Sequence, residues 1–348
     1  MRDMRPRMKR ELAALMALLG ILLMSAAYFG WIRLARNPLD ASGRGNLNGN
    51  EAAPPAPDAA PTRIRPLAVM IDNHPDARPQ SGVTKADAVW EALVEGGLTR
   101  DMLIFRGAEA EEIGPVRSSR PYFQVWASES DAVYAHVGGS DEALKDLKIG
   151  KFGLDDVDEF KDGKAFWRDR TRSAPHNAYT STGRLRDLIK ANGWSAETEA
   201  ADVSSRAALS AIGTPAGSIR LTYMRGGAEA SFRWNASTRS YDLLRDGRPA
   251  RDRDGTVISP RTLVVLEENV IPIDDPHAKG LIGVATVGSG NATVFRDGTA
   301  VVGGWKKKSP SDRTRVFDQD GRQIPFADGQ VWYSVIGANR GGTVKFEP

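Results

Sequence analysis

LAVMIDNHPDARPQSG (67–82) reads as a buried strand running straight into a polar, proline-rich loop. Its first five residues are apolar without interruption, and its tail carries Asp72, Asn73 and His74 before two prolines. Three later segments have related layouts: IGPVRSSRPYF (113–123), AVYAHVGGSDEAL (132–144) and SAPHNAYTST (173–182). In sheets covered by helices, functional groups gather in loops at strand ends, so these four loops are the places to look for chemistry.

Outward from these loops, strand-like runs fall at 67–71, 102–105 and 132–136, and helix-like runs at 85–94, 120–128, 141–148 and 182–192. The stretch 195–217 is rich in Ala and Ser and holds Thr214-Pro215, which marks a boundary. Beyond it the pattern turns β. Short alternating runs at 219–224, 230–234, 241–244, 263–266, 292–295 and 331–336 are separated by glycine turns such as Asp246-Gly247, Asp297-Gly298 and Asp328-Gly329. Turns of this kind favour hairpins over crossovers. The expected fold class is α+β, a layered α/β N-terminal part (63–205) followed by a β-rich C-terminal part (218–348).

The N-terminal end says where such a body would work. Arg2, Arg5, Arg7, Lys9 and Arg10 dominate a basic tail (1–11) ahead of an apolar run over 12–32. At ~1.5 Å per residue that run reaches roughly 30 Å, the thickness of a bilayer core. The positive flank predicts a cytoplasmic tail and an exported body; a cleaved signal segment is the competing reading. Residues 33–62 are rich in Ala, Pro, Gly and Asn and cannot build a core, so they read as a linker. The expected location is the cell membrane, single-pass, with the C-terminal body outside the cytoplasm.

Charge and cysteine content remove several function classes. Eight of the 47 basic residues and three of the 44 acidic ones lie in the first 50, so the remainder is close to neutral. The basicity belongs to the membrane flank, and nucleic-acid binding is not expected. With no cysteine, the chain has no thiol nucleophile, disulfide, thiolate metal site or lipid-modified cysteine.

The segments AVMIDNHPDARPQSG, ADAVWEALVEGGLTR, IGPVRSSRPYF, AVYAHVGGSDEAL and APHNAYTST resemble the YerB-like family of bacterial lipoproteins. The run VGSGNATVFRDGTAVVGGWKKKSPSDRTRVFDQDGRQIPFADGQVWYSVI (287–336) also fits that family. The resemblance covers roughly 64–346 and implies an extracytoplasmic two-part α+β protein with a YerB-like layered fold. It implies no settled activity. Many relatives carry a lipid-attachment cysteine that this chain lacks.

The residues themselves support more than one chemistry. In Arg117-Ser118-Ser119-Arg120-Pro121 a serine suits a helix N-cap and Pro121 the first turn. First turns prefer acidic residues, so two arginines there suggest a bound anion, or pairing with the protein's own Glu91, Glu95 or Asp101. His136, Gly138, Gly139 and Ser140 could bring backbone close to a ligand, without the spacing of a P-loop or dinucleotide motif. Arg172 and Asn177 complete the expected binding set. Asp72 with His74 or His176 could supply acid–base groups, or Asp72 and Asn73 could simply satisfy a turn. Ser118, Ser119 and Ser140 stand outside any G-x-S-x-G.

Histidines 74, 136 and 176 could together hold zinc, yet no close-spaced pair supports this, so neither metal nor cofactor is expected. The first expectation is a membrane-anchored protein that binds a cell-wall glycan or anionic polymer. The alternatives are a wall-acting hydrolase or transferase, and a protein–protein interaction module. The oligomeric state is not legible.

Overall fold

Alternation along Leu67–Asp72 builds the middle of the molecule. Leu67, Val69 and Ile71 pack on one side of this strand and Ala68 and Met70 on the other, all fully buried. A strand covered on both faces needs a layer above and a layer below. The computed structural model describes residues 63–199, 213–273 and 280–348. The tail 1–11, the apolar segment 12–32 and the linker to residue 62 lie outside the described residues, as does most of the 195–217 boundary. No helix among the described residues is long and apolar enough to cross a membrane.

The N-terminal strands are β1 (Leu67–Asp72), β2 (Ala88–Leu93), β3 (Thr99–Phe105), β4 (Val133–His136) and β5 (Asp155–Asp158). The C-terminal part adds β6 (Ser218–Thr222), β7 (Glu229–Asn235), β8 (Ser240–Arg245), β9 (Thr262–Glu268), β10 (Gly288–Arg296), β11 (Thr299–Lys307), β12 (Arg315–Asp318), β13 (Val331–Gly337) and β14 (Thr343–Glu347). Three α-helices stand among the described residues: α1 (Pro121–Ser128), α2 (Asp141–Lys148) and α3 (Thr182–Asn192). The chain is therefore mostly β.

One sheet of 11 strands runs through both parts, in the order Thr214–Pro215, β11, β10, β9, β13, β2, β3, β1, β4, β5, with β12 on β11. A separate five-stranded antiparallel sheet has the order Arg248–Pro249, β8, β7, β6, β14. Its Ile219, Leu221, Phe232 and Leu243 belong to one core with Leu93, Leu103, Leu263 and Trp332, a core that α3 joins through Leu185 and Ile189. On the opposite face α1 sets Tyr122, Phe123 and Trp126 into a second core with Met70, Trp90, Met102 and Tyr134.

Three expectations need correction. The segment 85–94 is not a helix. Its centre is β2, with Val89 and Leu93 in one core and Ala88, Trp90 and Ala92 in the other, so burial on two faces overrides the helix propensity of Ala and Glu. The N-cap of α1 is Arg120 rather than a serine, with Pro121 at the first position. Hairpins alone do not account for the C-terminal part either. Asp246-Gly247 and Asp297-Gly298 do close hairpins, each residue having a φ between 51° and 75°. Asp328-Gly329, however, leads into β13, which is buried along its whole length and runs parallel to both β9 and β2.

Because β1, β4 and β5 are mutually parallel neighbours, their carboxyl ends share one edge. Asp72, His136 and Asp158 are the last residues of these strands.

Candidate functional site

The edge is assembled by a segment that crosses it. Asp72 N–H donates to Pro115 O at 2.8 Å and Arg117 N–H to Met70 O at 3.0 Å, while Ser119 N–H reaches Gly138 O at 2.9 Å. Residues 115–119 thus bridge the ends of β1 and β4. Val116 N–H also donates to Ala178 O at 2.7 Å, which draws the 173–178 loop onto the same edge.

Asp72 lies at the centre and is buried. One carboxylate oxygen accepts the His74 N–H at 3.1 Å. The other meets His176 Nδ1 at 2.7 Å and Arg117 Nε at 2.9 Å. Burial alone would raise the Asp72 carboxyl, but the His74 N–H, the Arg117 charge and the His176 hydrogen bond outweigh it and hold it below its usual value. The rings of His74 and His176 stack with centroids 5.1 Å apart. Sequence reasoning named Asp72, His74 and His176 together, and the fold brings all three into contact.

Arg100 is a member of the site that sequence reasoning did not select. It is the cross-strand partner of Asp72 and is only 6% exposed. Its Nη1 donates to Ser118 O at 2.8 Å, its Nε has no acceptor, and it forms no ion pair among the described residues. Burial and the neighbouring Arg120 charge push its pKa down to about 10. A charged side chain opening an otherwise buried strand, in Thr99-Arg100-Asp101, was the available signal.

The remaining expected ligand residues are satisfied by the protein itself. Arg120 makes a two-pronged pair with Glu95 at 2.5 and 2.7 Å, the internal pairing that had stood as the alternative to a bound anion. Arg172 donates to Ala77 O at 3.0 Å and to Pro79 O, pinning the turn after β1. His136 is fully buried, with one ring nitrogen 2.7 Å from Gly138 O and the other 2.6 Å from Asp156. Ser119 Oγ accepts from Gln124 and Tyr134, Ser140 caps α2, and Asn177 accepts from Arg168. Gly138 donates its N–H to Asp158 with a φ of 59°, while a Cβ on Gly139 would meet Leu144 and Ser119 at 3.2–3.3 Å. Gly138, Gly139 and Ser140 therefore shape the edge around β4.

A second polar network lies on the opposite face of the sheet. Glu91 accepts from Asn73 at 3.0 Å, Thr99 at 2.9 Å, Trp332 at 3.1 Å and Arg245 at 3.0 Å. Burial opposes its charge, but Arg245 and these donors keep the carboxyl low, whereas burial and Glu91 itself push the cross-strand partner Asp101 well up. The Glu91 and Asp101 carboxylates are sealed from solvent, and the largely buried Arg245 ties β8 to the central sheet.

A cleft of about 590 Å³ lies elsewhere, between Lys85, Glu109, Glu112, Asp252, Arg253 and their neighbours. None of the expected site residues lines it.

The comparisons with known proteins agree on one family. Residues 53–195 match the model described as "Protein of unknown function (DUF3048) N-terminal domain", and residues 219–333 match the C-terminal domain of the same name. A Bacillus subtilis (strain 168) protein named "Putative lipoprotein YerB" is 30% identical over 279 residues, which cover 79% of this chain and 82% of that protein. The crystal structure of YerB protein from Bacillus subtilis superposes with a TM-score of 0.72 at 28% identity, over 81% of this chain and 94% of that one.

Proposed function

The chain belongs to the DUF3048 (YerB-like) family, and we propose from this that it is a membrane-anchored, extracytoplasmic envelope protein binding an anionic ligand at the carboxyl ends of β1, β4 and β5. The relative is named a lipoprotein, and this chain has no cysteine to carry a lipid, so the apolar segment 12–32 serves as its anchor.

The observation that carries the binding reading is Arg100. A buried cation without an ion-pair partner is costly, and an anion delivered to the edge would supply the missing charge. Asp72 and Glu95 hold Arg117 and Arg120 in ion pairs, which leaves the Arg100 guanidinium as a local excess without a carboxylate of its own. A phosphate- or carboxylate-bearing wall polymer fits that excess.

Isothermal titration of purified cell-wall fragments into the full chain in detergent tests this. Arg100→Gln should weaken binding at least about tenfold, because a charge-assisted contact is lost, while thermal stability stays equal or rises. Equal affinity in the two proteins would remove the basis of the reading.

A second reading is favoured by one contact. In the 2.7 Å Asp72–His176 pair a buried carboxylate orients an imidazole, as proton-transfer sites require, which suits a wall-acting hydrolase or transferase. Release of soluble fragments from wall material, abolished in His176→Ala, is its readout.

A further inference from the structure

His74, Asp76 and His176 converge on the solvent side of Asp72. One ring nitrogen of each histidine and one Asp76 carboxylate oxygen all lie within 4.8 Å of one another. His74 Nδ1 and Asp76 Oδ2 are 3.5 Å apart. Donors on a four-coordinate zinc at ~2.1 Å stand roughly 3.4 Å apart, so this pair already has the spacing of two ligands on one ion.

The tautomers suit the same purpose. Against the Asp72 carboxylate, His176 Nδ1 carries the proton, which leaves the lone pair on Nε2, a nitrogen that makes no hydrogen bond among the described residues. A buried carboxylate behind the distal nitrogen of an imidazole is the arrangement that orients metal-bound histidines and strengthens them as donors. His74 Nδ1 accepts the Asp76 N–H at 3.2 Å, so an ion bound there must displace this contact on the exposed turn. The His74 side chain is 37% exposed and that of Asp76 75%, so an ion can arrive from solvent without any rearrangement of the core.

We propose that His74 Nδ1, Asp76 Oδ2 and His176 Nε2 bind one divalent transition-metal ion, with Asp72 as the group that positions His176. Imidazole donors favour Zn²⁺ among the available ions, and three protein ligands leave a fourth position open. An ion held there lies beside Asp72 at the end of β1, where the anionic ligand is placed, so the proposal rests on that reading of the edge and deepens it. The ion takes an oxygen of the ligand, a role that Arg117 and Arg120 cannot fill because Asp72 and Glu95 already hold them.

The test is titration of Zn²⁺ alone into the metal-stripped full chain in detergent, followed by calorimetry and by metal content after gel filtration. One equivalent should bind. His176→Ala and His74→Ala should each lower affinity at least about 100-fold, and Asp72→Asn about 10- to 100-fold through loss of orientation. Melting curves of the metal-free variants report folding, and a double variant His74→Gln/Asp76→Asn on the exposed turn gives a version in which the core is untouched. Stoichiometric binding that survives both histidine substitutions would overturn the site, as would no binding by the wild type. Wall-fragment retention with and without chelator separates the two proposals. Zinc bound without any fragment binding keeps the metal site and removes the ligand reading. Fragment binding unaffected by chelator or by His74→Ala removes the role proposed for the metal.

Discussion

Arg120 and Glu95 show how one side chain can mimic a ligand site in sequence. Two arginines at the start of α1 conflict with the helix dipole, and the conflict is resolved by a carboxylate 25 residues earlier in the chain. Spacing could name Glu95 among the candidates but could not choose between it and an external anion, because the choice depends on how the short 3-10 turn Glu95–Gly97 folds back between β2 and β3. Burial would raise the Glu95 carboxyl, but the Arg120 hydrogen bonds and charge outweigh it and lower it below the usual 4.5. A lowered folded value means the folded state binds fewer protons. The stabilisation is therefore complete above about pH 4.5 and disappears as pH falls through the lowered folded value. Glu95→Gln should cost about 2 kcal/mol at pH 7, less than the ~3–5 of a fully sealed pair because Glu95 keeps some contact with water. Urea unfolding at pH 7 and pH 3 checks this: the difference between wild type and variant should shrink at the lower pH. Asp72, His74 and His176 were legible because each closes an apolar run or sits in a polar loop. Arg100 was not, because the apolar run there begins only at Met102, and a strand read as 102–105 leaves its charge outside.

At the scale of elements, the sequence read well wherever one face is polar. The amphipathic α2 and α3 and the alternating β6, β7 and β8 fall within a residue or two of their expected positions. It erred at β2, which is covered on both sides and passed for a helix through its Ala and Glu content. The equally buried β1 and β13 were legible as strands, and only the parallel pairing of β13 was not. Glu91 within β2 is itself the reason the strand can carry a charge. Arg245 reaches it from β8 of the second sheet, and Trp332 reaches it from β13. Arg245→Met leaves that carboxylate sealed without its counter-ion and should cost about 3–5 kcal/mol. Arg245→Met combined with Glu91→Gln should recover most of the loss, giving a coupling energy well above 1 kcal/mol in a urea double-mutant cycle. Additive losses would mean that the pair does not hold the two sheets together.

At the scale of the whole molecule, the division at 195–217 is visible in composition, yet the sheet ignores it. β13 is the second-to-last strand of the chain and sits between β9 and β2, so N- and C-terminal parts share one hydrogen-bonded layer. Non-local parallel pairing of this kind leaves no local sequence signal. The same topology places β1, β4 and β5 side by side and in parallel, and so collects on one edge loops that lie more than 100 residues apart. That edge, with unpaired Arg100 behind it, is the central claim. Hydrogen exchange of the full chain, followed by mass spectrometry with and without purified wall fragments, tests it most directly. Slowed exchange should be confined to peptides covering 72–78, 98–101, 114–120 and 173–177. Protection centred instead on the acidic cleft around Lys85 and Asp252, or none at saturating fragment, would contradict it.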